Sequence, residues 1–261
     1  MLSMCEPVIV IPIYAQPSAV EKKLIKKCTD IFSSRAIRFV SPKNFSLNLF
    51  TDITHVHFDP RFFENKLTYS KLLCSREFYK AFSDFDFIQV IQLDCYVFED
   101  RLNEFMSMGF DYIGAPWMKN GFEGKPEPKL WKVGNGGFSL RRVRSFLSII
   151  NKINDTKKGV LPVFQDLRKG LVGKIKNSGI RNNLRHYIKN PPGEDIFWAH
   201  YVTKIFDQNE FKVADTLTAA HYSFEVLPQF LFDEITKGKL PMGCHNWINQ
   251  NPKFWSSYIS S

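Results

Sequence analysis

The chain has 261 residues, of which 44% are hydrophobic and 23% charged, enough apolar material for a substantial core, and this composition excludes global disorder. Its formal net charge of +9 favours anionic partners, namely phosphorylated ligands, polyanions or an anionic membrane surface. No apolar run is long enough for a transmembrane helix. Five widely spaced cysteines without a CxxC pair speak for reduced thiols in a cytoplasmic protein rather than a disulfide framework.

The opening "MLSMCEPVIVIPIYA" has no basic start, and prolines interrupt its apolar stretch, so no signal peptide is expected. Within it "PVIVIPIY" (7–14) has the β-branched density of a buried strand. In "SAVEKKLIKKCTDIF" (18–32), Val20, Leu24, Ile25 and Cys28 share one helical face behind Ser18 as N-cap. "AIRFVSP" (36–42) predicts a second strand, "TYSKLLCSREFYKAF" (68–82) an amphipathic helix, and "FIQVIQLDCYVF" (87–98) a central strand. This β-α-β rhythm predicts an α/β fold with a Rossmann-like, mostly parallel central sheet flanked by helices. The rest of the chain adds a short strand in "FDYIGAPW", a loop in "NGFEGKPEPKLWK", and a glycine turn becoming a helix in "VGNGGFSLRRVRSFLSIINKI". "PPGEDIFWAHYVTKIF" predicts a turn feeding a helix, and "FKVADTLTAAHYSFEV" a strand and a loop. No repeat or second domain is visible, so residues 1–261 are expected to form one domain with a basic, partly helical insertion at about 152–190. Within it, 157–189 is strongly basic with Asp166 as its single acid, and this stretch is the candidate contact for an anionic membrane surface. No nucleic-acid motif accompanies the charge, and no nucleic-acid partner is expected.

Four segments carry candidate chemistry. Asp94 stands where the apolar 87–98 run leaves the core, and in open parallel sheets ligands bind at the carboxyl ends of strands. An oxygen ligand there suits a hard cation bridging to substrate phosphates, or a ribose hydroxyl. Gly134, Gly136 and Gly137 in "VGNGGFSLRR" let backbone approach a ligand closely. The run is not GxGxxG and does not follow the first strand, so a dinucleotide fold is disfavoured. "PPGEDIFW" places Glu194 and Asp195 in a first helical turn, where a carboxylate is held rigidly enough to act as a general base. His245 in "PMGCHNW" is a candidate ligand through the company it keeps.

Taken in order, "FIQVIQLDCYVF", "FDYIGAPW", "VGNGGFSLRR", "GEDIFW", "HYSFEV" and "PMGCHNW" resemble a glycosyltransferase-like family whose members are often labelled only as a domain of unknown function. Through it the chain is similar to the wider GT-A superfamily of nucleotide-sugar-dependent enzymes, over roughly residues 5–247. The resemblance implies a GT-A-like fold. It makes Asp94 the first acid of an Asp-x-Asp motif and His245 its partner on a divalent cation, Mn²⁺ or Mg²⁺. Tyr96 occupies the place of the second acid, so the metal's protein shell is thinner than the family pattern. Asp195 becomes the base of an inverting transfer, with Glu194 orienting the acceptor.

The expected donor is a nucleotide sugar, a UDP-sugar by analogy, seated against Pro12, Tyr14, Val40, Ser41, Asp94 and Tyr96. Donor and acceptor sugars would meet Asn135, Gly136 and Gly137, with Trp117 and Trp198 as stacking surfaces. The acceptor would be a glycan or lipid-linked glycan in surface polysaccharide biosynthesis, at the cytoplasmic face of the membrane. Three alternatives stand beside this reading: a catalytically degenerate nucleotide- or carbohydrate-binding relative, a nucleotidyltransferase, and a basic nucleic-acid binder. The second lacks its usual glycine-rich basic loop in "VIVIPIYAQPSA".

Overall fold

The computed structural model describes residues 6–121, 124–164 and 181–259. Strands β1 (Pro7–Pro12), β2 (Ala36–Pro42), β3 (Thr54–Phe58) and β4 (Phe87–Ile91) are parallel neighbours in the order β3-β2-β1-β4. Beyond a two-residue strand, β5 (Tyr96–Val97), the chain forms β6 (Tyr112–Ile113), the β7 (Pro116–Met118)–β8 (Leu130–Val133) ribbon and β9 (Phe138–Arg142). β9 and then β6 complete the main sheet antiparallel to its neighbours, giving six strands in the order β3-β2-β1-β4-β9-β6. The α/β class with a mostly parallel central sheet between helices is therefore what the chain adopts.

Alternation along β1 shows how the sheet is buried on both faces. Val8 and Val10 enter one apolar cluster with Leu72, Phe78 and Phe146, while Ile9 and Ile11 enter another with Ile25, Cys28 and Phe105. The helices α1 (Ala19–Ile31) and α4 (Leu102–Ser107) cover the second face. Helices α2 (Lys66–Leu73), α3 (Arg76–Lys80) and α5 (Val143–Asp155) cover the first. α1 starts at Ser18 with a reciprocal capping box, in which Ser18 accepts from the Glu21 amide and the Glu21 carboxylate accepts from the Ser18 amide. Strands β10 (Ser223–Phe224) and β11 (Gly243–Cys244) join β5 in a small second sheet, packed on a third cluster with Phe224, Leu231 and Trp255.

Five sequence expectations change. The single helix over 68–82 is two, because Ser75 caps a new helix by accepting from the Phe78 amide. The 87–98 strand breaks after Ile91 in a turn closed by the Cys95 amide on the Gln92 carbonyl. The glycine turn leads into strand β9 and only then into a helix, because Phe138–Arg142 pairs edge to edge with β4. Finally, "LWKV" is a strand, and Thr216–Tyr222 is a helix capped by Asp215 rather than strand and loop.

Of the basic insertion, the structure describes the end of α5, the 3-10 turn Lys157–Val160 and the helix Leu184–Tyr187. Residues 165–180, the centre of the proposed membrane-facing stretch, lie outside the described residues. Among the described residues no helix is long and apolar enough to cross a membrane. Among the described residues, Cys28, Cys74, Cys95 and Cys244 are free and buried.

Candidate active site

β1 pairs with β2 on one side and β4 on the other, so strand succession reverses between β1 and β4. Loops leaving adjacent strands in opposite directions open a crevice at such a point. Tyr14 follows β1, and Gln92 and Asp94 follow β4. The antiparallel β9 brings the Asn135–Gly137 turn to the same end, where the Gln92 amide donates to the Gly137 carbonyl at 2.9 Å. The result is a cleft of about 500 Å³ lined by Tyr14, Tyr69, Gln92, Asp94, Asn135–Gly137, Glu194, Asp195, Glu225 and His245, with Asn65 and Lys66 at one wall. A cavity of similar volume at the amino ends of the strands gathers no comparable set, and its Arg35 is engaged by Asp100.

The Asp94–His245 pair is set by backbone. β11 runs antiparallel to β5 with Cys244 opposite Tyr96, and the Asn246 amide donates to the Asp94 carbonyl at 3.1 Å. His245 Nε2 lies 3.3 Å from Asp94 Oδ1 and 3.3 Å from Gln92 Oε1, while its Nδ1 lies 3.0 Å from Glu225 Oε1. Burial works against charge on His245, but the hydrogen bonds to Asp94 and Glu225 outweigh it and raise its pKa to about 10. Burial also acts on Asp94, yet the bond to His245 holds its carboxyl below the usual range. A β-carbon on Gly137 would overlap His245 Nε2, so glycine is what leaves the ring nitrogen room.

These residues fit a divalent cation. An aspartate oxygen and an imidazole nitrogen converge at the cleft, and the second ring nitrogen is held by a carboxylate, as metal-ligating histidines usually are. Cys95 Sγ lies within the same cluster. Its thiol is buried, points to the Gly137 carbonyl and is pushed well above its ordinary pKa by burial, so it is a poor ligand for a hard ion. Two protein ligands leave the remaining positions to substrate oxygens and water.

The carboxylate pair meets the same glycine turn at Gly136, next to the Gly137 that faces His245. Gly193 precedes the helical segment that begins Glu194–Ile196. Glu194 is buried and ion-paired at 2.9 Å with Arg141, which is 0% exposed. Asp195 Oδ2 accepts from the Asn135 amide at 3.1 Å and Oδ1 from the Ile196 amide at 2.8 Å. Burial, followed by the neighbouring Glu194 charge, pushes Asp195 up to about 6 against those two amide bonds.

Asn135 is the hinge of the wall. It stands at φ 65°, a left-handed conformation that asparagine tolerates better than most residues. Its Oδ1 accepts from the Gly137 amide at 3.1 Å, which fixes the amide orientation. Its Nδ2 is buried and has no hydrogen-bond partner. A buried donor left over at a cleft wall calls for a ligand oxygen.

Asp94, Asn135, Gly136, Gly137, Glu194, Asp195 and His245 thus meet in one cleft, with Tyr14 at its mouth. Other expected residues are elsewhere. Pro12, Val40 and Ser41 are buried inside the sheet, covered by both layers, and Ser41 Oγ is bonded to His55 Nδ1 at 2.9 Å. Tyr96 packs on Phe98 and Trp247 under the Lys27 ammonium. Trp198 is a core residue, 0% exposed, donating its indole N–H to the Leu73 carbonyl at 3.1 Å and packing on Phe146. Trp117 is buried beneath Gly134, where a β-carbon would overlap its ring, and stacks on Trp131. These six do not line the cleft. Sequence reading also missed Gln92, Tyr69, Arg141 and Glu225. Glu225 stands in the quoted "HYSFEV", but no spacing rule ties it to a histidine twenty residues on.

Several solved structures are similar in outline at low identity. The galactosyltransferase LgtC, in complex with donor and acceptor sugar analogs, matches at 12% identity over 91% of this chain and 86% of that chain, with a TM-score of 0.49. A glycosyltransferase involved in glycosylation of the major capsid of PBCV-1 matches at 11% identity over 97% and 98%, with a TM-score of 0.46. Mouse xyloside xylosyltransferase 1, in its apo form, matches at 10% identity over 92% and 97%, with a TM-score of 0.49. No curated protein matches the chain in sequence. The family model described as protein of unknown function (DUF5672) matches residues 52–245, a span that holds every polar cleft residue discussed above except Tyr14 and Asn246, and the chain belongs to that family.

Proposed function

We propose that this chain is a GT-A-type glycosyltransferase that moves a sugar from a nucleoside-diphosphate sugar to a hydroxyl of a glycan or lipid-linked glycan. The observation that carries the reading is the meeting of Asp94–His245 and Glu194–Asp195 in one cleft, either side of the Gly136–Gly137 turn, at the switch point of a parallel sheet. The first pair offers ligands for a cation and a diphosphate, the second a buried carboxylate of raised proton affinity. The ordered motifs that resemble GT-A enzymes support the same assignment. We read the donor as a UDP-sugar and the pathway as surface polysaccharide synthesis, by that resemblance.

Asp94 Oδ1 and His245 Nε2 would hold Mn²⁺ or Mg²⁺, and the bound ion would stabilise charge on the leaving diphosphate. Lys66, exposed on the cleft wall, adds a cation for the phosphates. The acceptor oxygen forms its bond to the anomeric carbon from the face opposite the diphosphate. Its proton passes to Asp195, the bond from the anomeric carbon to the diphosphate oxygen breaks, and the electron pair leaves with the diphosphate. One displacement inverts the stereochemistry, through a transition state of oxocarbenium character. Raised to about 6, Asp195 is a stronger base than an ordinary carboxylate and is still ionised at neutral pH. Asn135 Nδ2 donates to a sugar oxygen, removing the orphan donor.

The basic stretch 157–189 is read as the contact with anionic lipid on the cytoplasmic face. Reversing charges within 168–176 should weaken binding to anionic vesicles, and unchanged binding retires the membrane role. The transferase reading is tested by a thermal-shift screen of nucleotide sugars with and without Mn²⁺, followed by donor-hydrolysis assays on the hits. Stabilisation by a nucleoside triphosphate but by no nucleotide sugar would replace it with nucleotidyl transfer. Stabilisation without turnover would mark a binding relative.

A further inference from the structure

We propose that Arg141, a residue outside the cleft, is a positioning residue that clamps Glu194 against the Asn135–Gly137 turn and so fixes a negative charge beside Asp195. The inference rests on the reading of Asp195 as proton acceptor.

Arg141 is on β9, 0% exposed, with every guanidinium contact directed inward. Its Nε donates to Ser139 Oγ at 3.0 Å and one Nη to the Tyr79 hydroxyl at 3.2 Å. The other Nη donates both to the Gly136 carbonyl at 3.2 Å and to Glu194 Oε1 at 2.9 Å. One nitrogen therefore ties the glycine turn to the carboxylate helix. The contact is so close that a β-carbon on Gly136 would overlap Glu194 Oε1. The same turn donates the Asn135 amide to Asp195 Oδ2. Arg141 thus sets the positions of both carboxylates, one directly and one through the turn.

A lone buried arginine is costly, and the pair with Glu194 is needed to keep it. Such a pair is a weak source of stability against apolar substitutes of the same volume. Its position at this wall suggests another use. Two adjacent carboxylates left alike would share one proton ambiguously. Here Arg141 compensates Glu194 alone, and the two acids are driven into different roles. Asp195 is faced by Glu194 on its own helix, by Glu225 from the loop after β10, and by Tyr112 and Cys74 from the core. Of these, Glu194 is the charge most strongly felt.

The test is a carboxyl-carbon NMR titration of the full chain, with the Asp195 signal assigned by its loss in Asp195→Asn. Glu194→Gln should lower the Asp195 midpoint by about one pH unit, because a like charge has gone. Arg141→Met, which leaves Glu194 uncompensated, should raise it. The double variant Arg141→Met/Glu194→Gln, which leaves no unpaired charge in the core, should fall between Glu194→Gln and wild type. Arg141→Lys should return the midpoint towards wild type. Arg141→Met and Glu194→Gln each strand one buried charge; if either does not fold, the double variant and Arg141→Lys still set the order, and a double-variant midpoint at or above wild type overturns the clamp. A midpoint unmoved in Glu194→Gln, or displaced in the same direction by Glu194→Gln and Arg141→Met, overturns the clamp. The titration needs no substrate, so it is separate from the base assignment. Sugar transfer at the wild-type rate by Asp195→Asn would remove the base while leaving the charge order intact.

Discussion

Glu194 Oε1 occupies the space that a side chain on Gly136 would need. The turn and the acid helix are therefore fitted to each other at a single atom, and neither can move without the other. Gly136→Ala should displace Glu194 or the turn, at a cost of about 1–3 kcal/mol from overpacking. The expected outcome is a fall in melting temperature of several degrees, with transfer activity lost out of proportion to the stability change. Thermal unfolding and initial rates on the same preparation measure both.

Asp195 gives a prediction with two opposite signs. As a base it works ionised, so transfer should fall about tenfold per pH unit below its value of about 6. Asp195→Asn should lose on the order of 10²–10⁴ in turnover while still binding nucleotide. For stability the sign reverses. The folded state holds this proton more tightly than the unfolded chain, so the associated stability is present below about pH 4 and lost as pH rises through about 6. Asp195→Asn, which keeps an acceptor for only one of the two amides, should lose this pH dependence, so the wild type should lose stability relative to it as pH rises from about 4 to 7.5. Unfolding curves at both pH values check it.

The cation site predicts a graded series. Mn²⁺ should raise the melting temperature of the wild type by mass action. Asp94→Asn and His245→Ala should abolish that rise. Glu225→Gln should keep the rise but require roughly 10–100-fold more metal, because it removes the acceptor that orients the imidazole. Equal responses in all four proteins would place the ion elsewhere.

Asn135→Asp keeps the acceptor oxygen for the Gly137 amide and replaces the unpartnered donor with an oxygen. The turn should survive while the sugar loses a hydrogen bond and meets a like-polarity atom. Michaelis constants for donor or acceptor should rise, on the order of tenfold or more, and thermal stability at neutral pH should fall because the new carboxylate is buried beside Asp195. Steady-state kinetics with each substrate varied in turn shows which sugar Asn135 addresses.

The strands and helices most clearly written in the sequence are those with a strong local signal. β1, β2 and α1 follow from β-branched runs and the Ser18 cap, and they appear within a residue or two of expectation. β9 was hidden because Phe138–Arg142 has helix-compatible residues and becomes a strand only by pairing with β4. The polar residues of the cleft were legible where a motif drew the eye, at Asp94, Glu194, Asp195 and His245. The aromatic and strand-end candidates were not. Trp198 reads as a ring platform until its indole is seen spent on Leu73, and Ser41 reads as a pocket hydroxyl until His55 takes it. Arg141 and Glu225 carry no local mark at all. Their roles arise from partners 53 and 20 residues away.

The ladder between β5 and β11 is two residues long, yet it decides whether Asp94 and His245 face each other. A slip of one position would re-aim His245, which directly follows β11, because successive side chains alternate. The same alignment stations Tyr96 among Phe98, Trp247 and Lys27, away from the cleft. A carboxylate placed at 96 would thus add a salt-bridge partner for Lys27 rather than an oxygen in the cleft. In this fold, neighbouring letters of the sequence are spatially divided: Asp94 faces the cleft beside His245, while Tyr96 packs away from it.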